Sequence, residues 1–232
     1  VATQGYFNGL FPPGKKDSQL SAVVLKNLLE AHVQVYHTLK KMENGQRVKI
    51  GLVKNINQFD PWRRWHLLDW LISKSANHFF NESTIDFLRT GKLRIRIPGL
   101  AWIYHENRDA ISATDYFGLN YYSHNHLKVK FSLVEPFTMK FRDDDILTDM
   151  PYTIYGEGLY RAIQSISILD VPIIITENGI ADEEDSRREL YIKRYLYALS
   201  TSIKDGYNVI GFFYWSLMDN FEWAFGYDMK FG

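Results

Sequence analysis

The sequence predicts an α/β fold built on a parallel sheet. The run Val171-Pro172-Ile173-Ile174-Ile175 contains three consecutive β-branched isoleucines, which is typical of a parallel strand buried on both faces. Strand patterns alternate with helical patterns along the chain, as in βαβ units. Only four strand patterns occur in the 232 residues, about half the number in an eight-stranded barrel. We therefore expect residues 1–232 to form a single incomplete domain.

The first half of the chain predicts two helices around one strand. A long helix should begin at a cap on Asp17 or Ser18 and stop at Asn44-Gly45. A short strand is predicted at residues 48–53. Asp60-Pro61 combines a cap with a first-turn proline, so a second helix should open there and run to about Phe80. Its predicted apolar side consists of Trp62, Trp65, Leu68, Leu71 and Ile72.

The second half predicts three more strands. After a short helix at residues 83–89, a strand is expected at 114–123, followed by a long charged connection over 124–151. A helix at 157–169 leads into the isoleucine-rich strand. Ser186 and Glu189 have the spacing of a capping box, which predicts a helix that continues to Gly206. The last strand is predicted at 209–215.

Composition limits the classes of partner. Lys plus Arg and Asp plus Glu number 27 each, so nothing in the charge favours a nucleic acid partner. No apolar run approaches the ~20 residues that span a bilayer, so we expect no membrane partner. The chain has no cysteine, which is compatible with a reducing compartment and favours the cytoplasm without establishing it. Glycine-rich phosphate loops and paired metal ligands are missing from the sequence, so we expect neither a cofactor nor a metal.

Polar and aromatic side chains follow three of the predicted strands. Asn120-Tyr121-Tyr122, Glu177-Asn178 and the segment at 215–223 stand where these strands end. Parallel strands bring their carboxyl ends to one rim, where α/β enzymes carry their chemistry. Ring faces stack on the C–H faces of sugars, and carboxylates and amides hydrogen-bond to hydroxyls. The rim therefore has the side chains of a carbohydrate site.

These segments resemble signatures of the family-one glycoside hydrolases, the β-glucosidase family. The resemblance is carried by Ile175-Thr176-Glu177-Asn178-Gly179, by Trp215-Ser216-Leu217-Met218-Asp219-Asn220-Phe221-Glu222-Trp223 and by Asp115-Tyr116-Phe117-Gly118-Leu119-Asn120-Tyr121-Tyr122-Ser123. It implies a partial (β/α)8 TIM barrel comprising strands 5 to 8 with their intervening helices. It also implies hydrolysis of β-glycosides with retention, which uses one carboxyl group as nucleophile and another as acid/base.

The resemblance also implies a role for each rim residue. Glu177 matches the nucleophile, and Tyr122 matches the tyrosine that hydrogen-bonds to it. The residues that match sugar-binding positions are Asn120, Tyr152, Trp215, Glu222, Trp223 and Phe231. Retention of Glu222 and Trp223 favours non-phosphorylated glycosides, because relatives acting on 6-phosphorylated sugars carry other residues there.

The acid/base glutamate has no counterpart in this sequence. The family places it in a Thr-x-Asn-Glu-Pro stretch, which does not occur here. Glu135, Asp144 and Asp145 have no motif that supports them as substitutes. Both ends of the chain look cut, so we expect the N-terminal half of the barrel to belong to the same full-length chain or to a partner chain. Either way, the chain alone is predicted to be inactive.

Two rival interpretations remain open. A non-catalytic relative could bind sugars or proteins with the same rim, although retention of Glu177, Tyr122, Glu222 and Trp215 together argues against it. A half-barrel subunit could instead require a partner chain, because a lone half barrel exposes strand edges and an apolar face.

Overall fold

A computed structural model describes residues 1–97, 99–132 and 136–232. The five α-helices in these ranges are α1 (Ser18–Lys41), α2 (Leu67–Asn77), α3 (Ser83–Thr90), α4 (Gly156–Ile166) and α5 (Arg188–Lys204). The strands are β1 (Gly51–Pro61), β2 (Lys92–Ile97), β3 (Ala101–Glu106), β4 (Tyr116–Val129), β5 (Phe137–Lys140), β6 (Ile173–Asn178) and β7 (Val209–Tyr214). Within the described ranges, no helix combines the length and apolar character needed to cross a membrane.

The main sheet has the parallel order predicted from the alternation of strands and helices. Its strands run β1-β4-β6-β7, and each neighbouring pair is parallel. Strand β5 adds an antiparallel pairing to the far end of β4, and β2 and β3 form a separate hairpin. Strands β1 and β7 are the outer strands of this order, so the described residues form an open sheet rather than a closed barrel.

Two apolar cores hold the sheet and its surroundings. Isoleucines of β6, including the fully buried Ile175, pack with Leu119 of β4 and with Leu159 and Ile163 of α4. The second core joins α1 and α3 to the β2–β3 hairpin. The first core packs helices against the strands whose carboxyl ends carry the predicted site, and so fixes the position of the rim.

The predicted helix start at Asp60-Pro61 is wrong. Strand β1 continues to Pro61, which pairs with Leu127 of β4, and α2 begins only at Leu67. The Asp60 carboxylate does not cap a helix, because it accepts hydrogen bonds from Arg161 at 2.7 and 3.1 Å. The predicted apolar side is also wrong in part, because Trp65, Leu68 and Leu71 are exposed.

Other predicted elements also differ from those in the structure. The connection predicted at 124–151 contains the end of β4 and the whole of β5, since β4 extends to Val129. The β2–β3 hairpin was not predicted, although Leu93 and Ile95 are buried and alternate with charged residues. The capping box is wrong, because α5 begins at Arg188 without a side-chain cap.

Candidate active site

The parallel sheet brings the ends of three strands together. Asn120 of β4 lies opposite Glu177 of β6 in the strand register. Trp215 follows β7 directly, and its N–H donates to the carbonyl of Asn178 at 3.0 Å. The register is irregular on both sides of β6, between Leu119 and Asn120 and between Ile175 and Asn178. The side chains of the rim therefore project where regular strand pairing stops.

Glu177 and Tyr122 form the central contact of the site. The Tyr122 hydroxyl donates a hydrogen bond of 2.8 Å to Oε2 of Glu177. Burial, followed by the negative charge of Glu177 and this hydrogen bond, raises the pKa of Tyr122 above its usual range. Tyr122 therefore stays a phenol and keeps donating.

The segment around Glu177 is held by polar contacts and by one glycine. Asn178 is fully buried, and its amide donates to the carbonyl of Tyr121 at 2.7 Å and to the hydroxyl of Tyr191 at 2.8 Å. A β-carbon on Gly179 would lie 1.5 Å from the carbonyl oxygen of Trp215. Only glycine fits there, so the backbones that carry Glu177 and Trp215 meet in direct contact.

An aromatic cluster lies behind Tyr122. Phe231 is buried with only 3% of its surface exposed, and its ring meets the Tyr122 ring edge-on at a centroid distance of 6.4 Å. The centroid of the Tyr152 ring also lies 6.4 Å from that of the Tyr122 ring, and Trp215 packs against the same cluster. Phe231 thus supports the Tyr122 ring from within the protein. Its expected sugar contact stays a prediction.

Arg188 joins the three chain segments that frame this cluster, and the sequence had not pointed to it. Its guanidinium donates to the carbonyls of Ile180 and Asp182 at 3.1 Å each, and to the carbonyl of Phe231 at 3.2 Å. It also donates to the hydroxyl of Tyr214, the last residue of β7, at 3.2 Å. Backbone carbonyls leave no signal in a sequence, so only the fold could reveal this role.

Glu222 adds a second carboxyl group to the surroundings of Tyr122. It lines a cavity of about 760 Å³ together with Tyr122 and Tyr152. Burial, followed by the charge of Glu177, raises the pKa of Glu222 above its ordinary value. Burial and the charge of Glu222 likewise raise the pKa of Tyr152. Tyr122, which donates to Glu177, lines the same cavity as Glu222 and Tyr152, so these side chains lie near one another.

Trp223, another residue that matches a sugar-binding position, packs against Phe11. Its indole stacks on the ring of Phe11, with 5.2 Å between the ring centroids and 19° between their planes. It is 67% exposed, so a large part of its surface is open to a ligand. Asn120 lies deeper, where its side-chain oxygen accepts from Thr176 at 2.6 Å.

His124 of β4 belongs to a polar cluster next to the rim. It is buried, forms a 2.9 Å hydrogen bond with Asp60, and stacks on Tyr155 at a centroid distance of 4.3 Å. Burial alone would raise the pKa of Asp60, but hydrogen bonds from His124 and Arg161 outweigh it and hold that pKa well below its ordinary value. This cluster ties β1 and β4 to α4 behind the rim.

The other acidic residues considered as acid/base candidates gain no support. Asp145 accepts a 2.7 Å hydrogen bond from the backbone N–H of Arg142, and Glu135 lies outside the described residues. In the described parts of the chain, no group of three His, Cys, Asp or Glu side chains could hold a metal ion.

A parallel α/β sheet with polar side chains at its carboxyl rim is the arrangement of barrel enzymes. The chain matches the pattern of Glycosyl hydrolase family 1 over residues 1–232 and belongs to that family. The β-galactosidase of Pyrococcus woesei is 28% identical over 247 residues, a match that covers 96% of this chain and 48% of that protein.

Solved structures give the same result for the fold. The β-glycosidase from Pyrococcus horikoshii matches 100% of this chain with a TM-score of 0.84 and 31% identity, using 52% of its own length. The family 1 β-glucosidase from Thermotoga maritima gives a TM-score of 0.85 at 27% identity, using 55% of its length. These neighbours are TIM barrels, so this chain has the fold of part of a TIM barrel. It spans about half the length of the curated relatives it matches.

Proposed function

We propose that residues 1–232 supply the nucleophile half of a retaining β-glycosidase active site. In this proposal Glu177 attacks the anomeric carbon, the bond to the leaving oxygen breaks, and a covalent glycosyl ester forms on Glu177. Water then cleaves that ester and releases the sugar with its configuration retained. The observation that carries the proposal is the 2.8 Å hydrogen bond from Tyr122 to Glu177 at the ends of neighbouring strands.

The surrounding residues supply binding and charge in this mechanism. Tyr122 orients the carboxylate and stabilises its ionised form. Trp215 presents an indole to the sugar ring, while Glu222 and Asn120 hydrogen-bond to its hydroxyls. Glu222 also favours a non-phosphorylated sugar, because a phosphate would bring like charge against its carboxylate. Sugar contacts from Trp223, Tyr152 and Phe231 complete the proposed subsites.

The proposal assigns the acid/base step to residues outside this sequence. In retaining enzymes the two carboxyl groups stand about 5–5.5 Å apart, and the acid protonates the leaving oxygen. Glu222 is already assigned to the sugar, so the acid must come from the remaining half of the barrel, whether in a longer chain or in a partner chain. The chain alone should therefore not hydrolyse glycosides at an appreciable rate.

A hybrid barrel tests this function. Residues 1–232 would replace the matching half of the Pyrococcus horikoshii β-glycosidase, and hydrolysis of aryl β-glucosides and β-galactosides would be measured. The hybrid should be active and its Glu177→Gln variant inactive, whereas the isolated chain should release no phenol. Glu177-dependent turnover by the isolated chain would contradict the assignment of the acid to the other half. A folded, sugar-binding hybrid without turnover would favour the non-catalytic alternative.

A further inference from the structure

The side chain of Asn178 continues the connection between β4 and β6 beyond the point where their pairing ends. The last paired residues of these strands are Asn120 and Glu177. One residue further along each strand, the Asn178 amide nitrogen donates a hydrogen bond of 2.7 Å to the carbonyl of Tyr121. The backbone carbonyl of Asn178 accepts from the N–H of Trp215 at 3.0 Å. Asn178 therefore joins the ends of all three strands that form the rim.

This link between β4 and β6 lies beside the contact between Tyr122 and Glu177. Tyr121 immediately precedes Tyr122, and Asn178 immediately follows Glu177. The bond from Asn178 to Tyr121 thus holds together the two backbones whose side chains form the 2.8 Å hydrogen bond of the site. A carbonyl oxygen only accepts, so the amide must turn its nitrogen toward Tyr121. Rotation of the amide would set two oxygens against each other and release this link.

Tyr191 of α5 holds the Asn178 amide in this orientation. Its hydroxyl accepts from the same amide nitrogen at 2.8 Å, whereas the amide oxygen has no hydrogen-bond partner among the described residues. Burial, followed by the neighbouring Tyr195, raises the pKa of Tyr191 well above its ordinary value, so the hydroxyl stays neutral. The Tyr191 ring stacks on Tyr195 at a centroid distance of 3.9 Å, and the Tyr195 hydroxyl accepts from the N–H of Tyr155 at 3.1 Å. Tyr155 directly precedes α4, so Tyr191 is held between the two helices.

These side chains lie in the interior of the chain, away from the open edges of the sheet. Asn178, Tyr121 and Tyr195 are fully buried, and Tyr191 is 1% exposed. The edges that the rest of a barrel would pair with are β1 and β7. The four side chains leave almost no surface for another part of a barrel to contact, so their arrangement is a property of this chain alone.

We infer that Asn178 and Tyr191 are positioning residues for the nucleophile Glu177. In this role, which rests on the proposed function, Asn178 sets the distance between the Tyr122 hydroxyl and the Glu177 carboxylate. Tyr191 keeps the Asn178 amide turned toward β4. Both side chains are buried, so neither touches the sugar. Their loss should slow formation of the glycosyl ester without weakening sugar binding, because a misplaced nucleophile reacts slowly even when the substrate is bound.

The rate of ester formation on Glu177 tests this role. The 232-residue chain would be treated with a 2,4-dinitrophenyl 2-deoxy-2-fluoro-β-glycoside, whose leaving group needs no proton. Release of dinitrophenolate at several concentrations gives a maximal rate and a half-saturating concentration. Tyr191→Phe keeps the ring but removes one acceptor of the Asn178 amide, so its maximal rate should fall about threefold to tenfold. The maximal rate of Asn178→Ala should fall more than about tenfold. The half-saturating concentration should stay the same in both variants.

Tyr36→Phe is the matched control, because it makes the same chemical change at the opposite end of β4. The Tyr36 hydroxyl donates at 3.1 Å to Asp115, the residue before β4 begins. This variant should form the ester at the rate of the unaltered chain. An unchanged maximal rate in Tyr191→Phe, or a raised half-saturating concentration alone, would overturn the inference. So would an equal fall in Tyr36→Phe, because general destabilisation would then explain the result.

The NMR signals of the Asn178 side-chain amide separate this role from the assignment of the nucleophile. They are identified by their absence from Asn178→Ala. Both amide protons should exchange slowly with water in the unaltered chain, and one should exchange at least about tenfold faster in Tyr191→Phe. Fast exchange of both protons in the unaltered chain would overturn the inference. Slow exchange in an unaltered chain that forms no ester would instead overturn the assignment of Glu177, while the link between β4 and β6 would stand.

Discussion

Replacing Gly179 with alanine tests whether the site depends on direct backbone contact between β6 and β7. The added β-carbon would lie 1.5 Å from the carbonyl oxygen of Trp215, whereas ordinary contact begins at 3.4 Å. The two backbones must therefore separate by about 1.9 Å, the difference between these distances. That shift would also break the 3.0 Å hydrogen bond from the N–H of Trp215 to the carbonyl of Asn178.

The expected loss of unfolding free energy follows from these two effects. Overpacking costs about 1–3 kcal/mol, and a lost backbone hydrogen bond costs about 1 kcal/mol, so Gly179→Ala should lose about 2–4 kcal/mol. Urea unfolding followed by circular dichroism measures it. Gly211→Ala is the matched control, because its β-carbon would lie 3.3 Å from a methyl group of Ile174 that can move aside. A Gly179→Ala variant as stable as Gly211→Ala would refute the reasoning.

Three further predictions concern the surroundings of the site. Arg188→Met should lose about 2–4 kcal/mol of unfolding free energy in urea, because it removes the hydrogen bonds to Ile180, Asp182, Tyr214 and Phe231 that join three chain segments; unchanged stability would show that water replaces the guanidinium. His126 is buried beside the positive groups His124 and Arg142, which lowers its pKa to about 4. As the pH falls, His126 is therefore protonated in the unfolded chain before it is protonated in the folded chain. The free energy of unfolding should drop by up to about 3 kcal/mol between pH 6.5 and 4 because of this histidine. His126→Gln should flatten that part of the plot of stability against pH, and an unchanged slope would show that other groups cause the drop. Tyr122→Phe should slow covalent reaction at the Glu177 carboxylate by about tenfold to a hundredfold, since a hydrogen bond to a charged group contributes about 1.5–3 kcal/mol. Mass spectrometry of the modified chain measures this rate. An equal rate in the variant would show that Tyr122 does not assist Glu177.

The sequence was informative where one local pattern decides the structure. Three isoleucines in a row predicted a buried strand, and β6 is an inner strand of the sheet in which Ile173 and Ile175 are buried and Ile174 is half-buried. Asp17 caps α1 through the N–H of Leu20, as its position before the apolar pattern predicted. Parallel strands bring their carboxyl ends to one rim, and the family resemblance implied the contact between Tyr122 and Glu177 that the structure contains.

The sequence was misleading where distant residues compete for a local signal. Asp60-Pro61 carries the pattern of a helix start, but Arg161, 101 residues further along the chain, binds the carboxylate and β4 pairs with the proline. Asp69 reverses the expected orientation of α2 because Arg63 and the backbone of β4 hold it inside. Such preferences depend on tertiary partners, which a local pattern does not contain.

Chemical trapping of Glu177 tests the central claim most directly. A 2,4-dinitrophenyl 2-deoxy-2-fluoro-β-glycoside releases dinitrophenolate without needing a proton, so its first step does not require the acid that this chain lacks. The account predicts a single fluoroglycosyl ester, located by peptide mass spectrometry on the fragment containing Glu177 and absent from Glu177→Gln. An ester on Glu222, or no ester on a chain that circular dichroism shows to be folded, would contradict the assignment of Glu177 as the nucleophile.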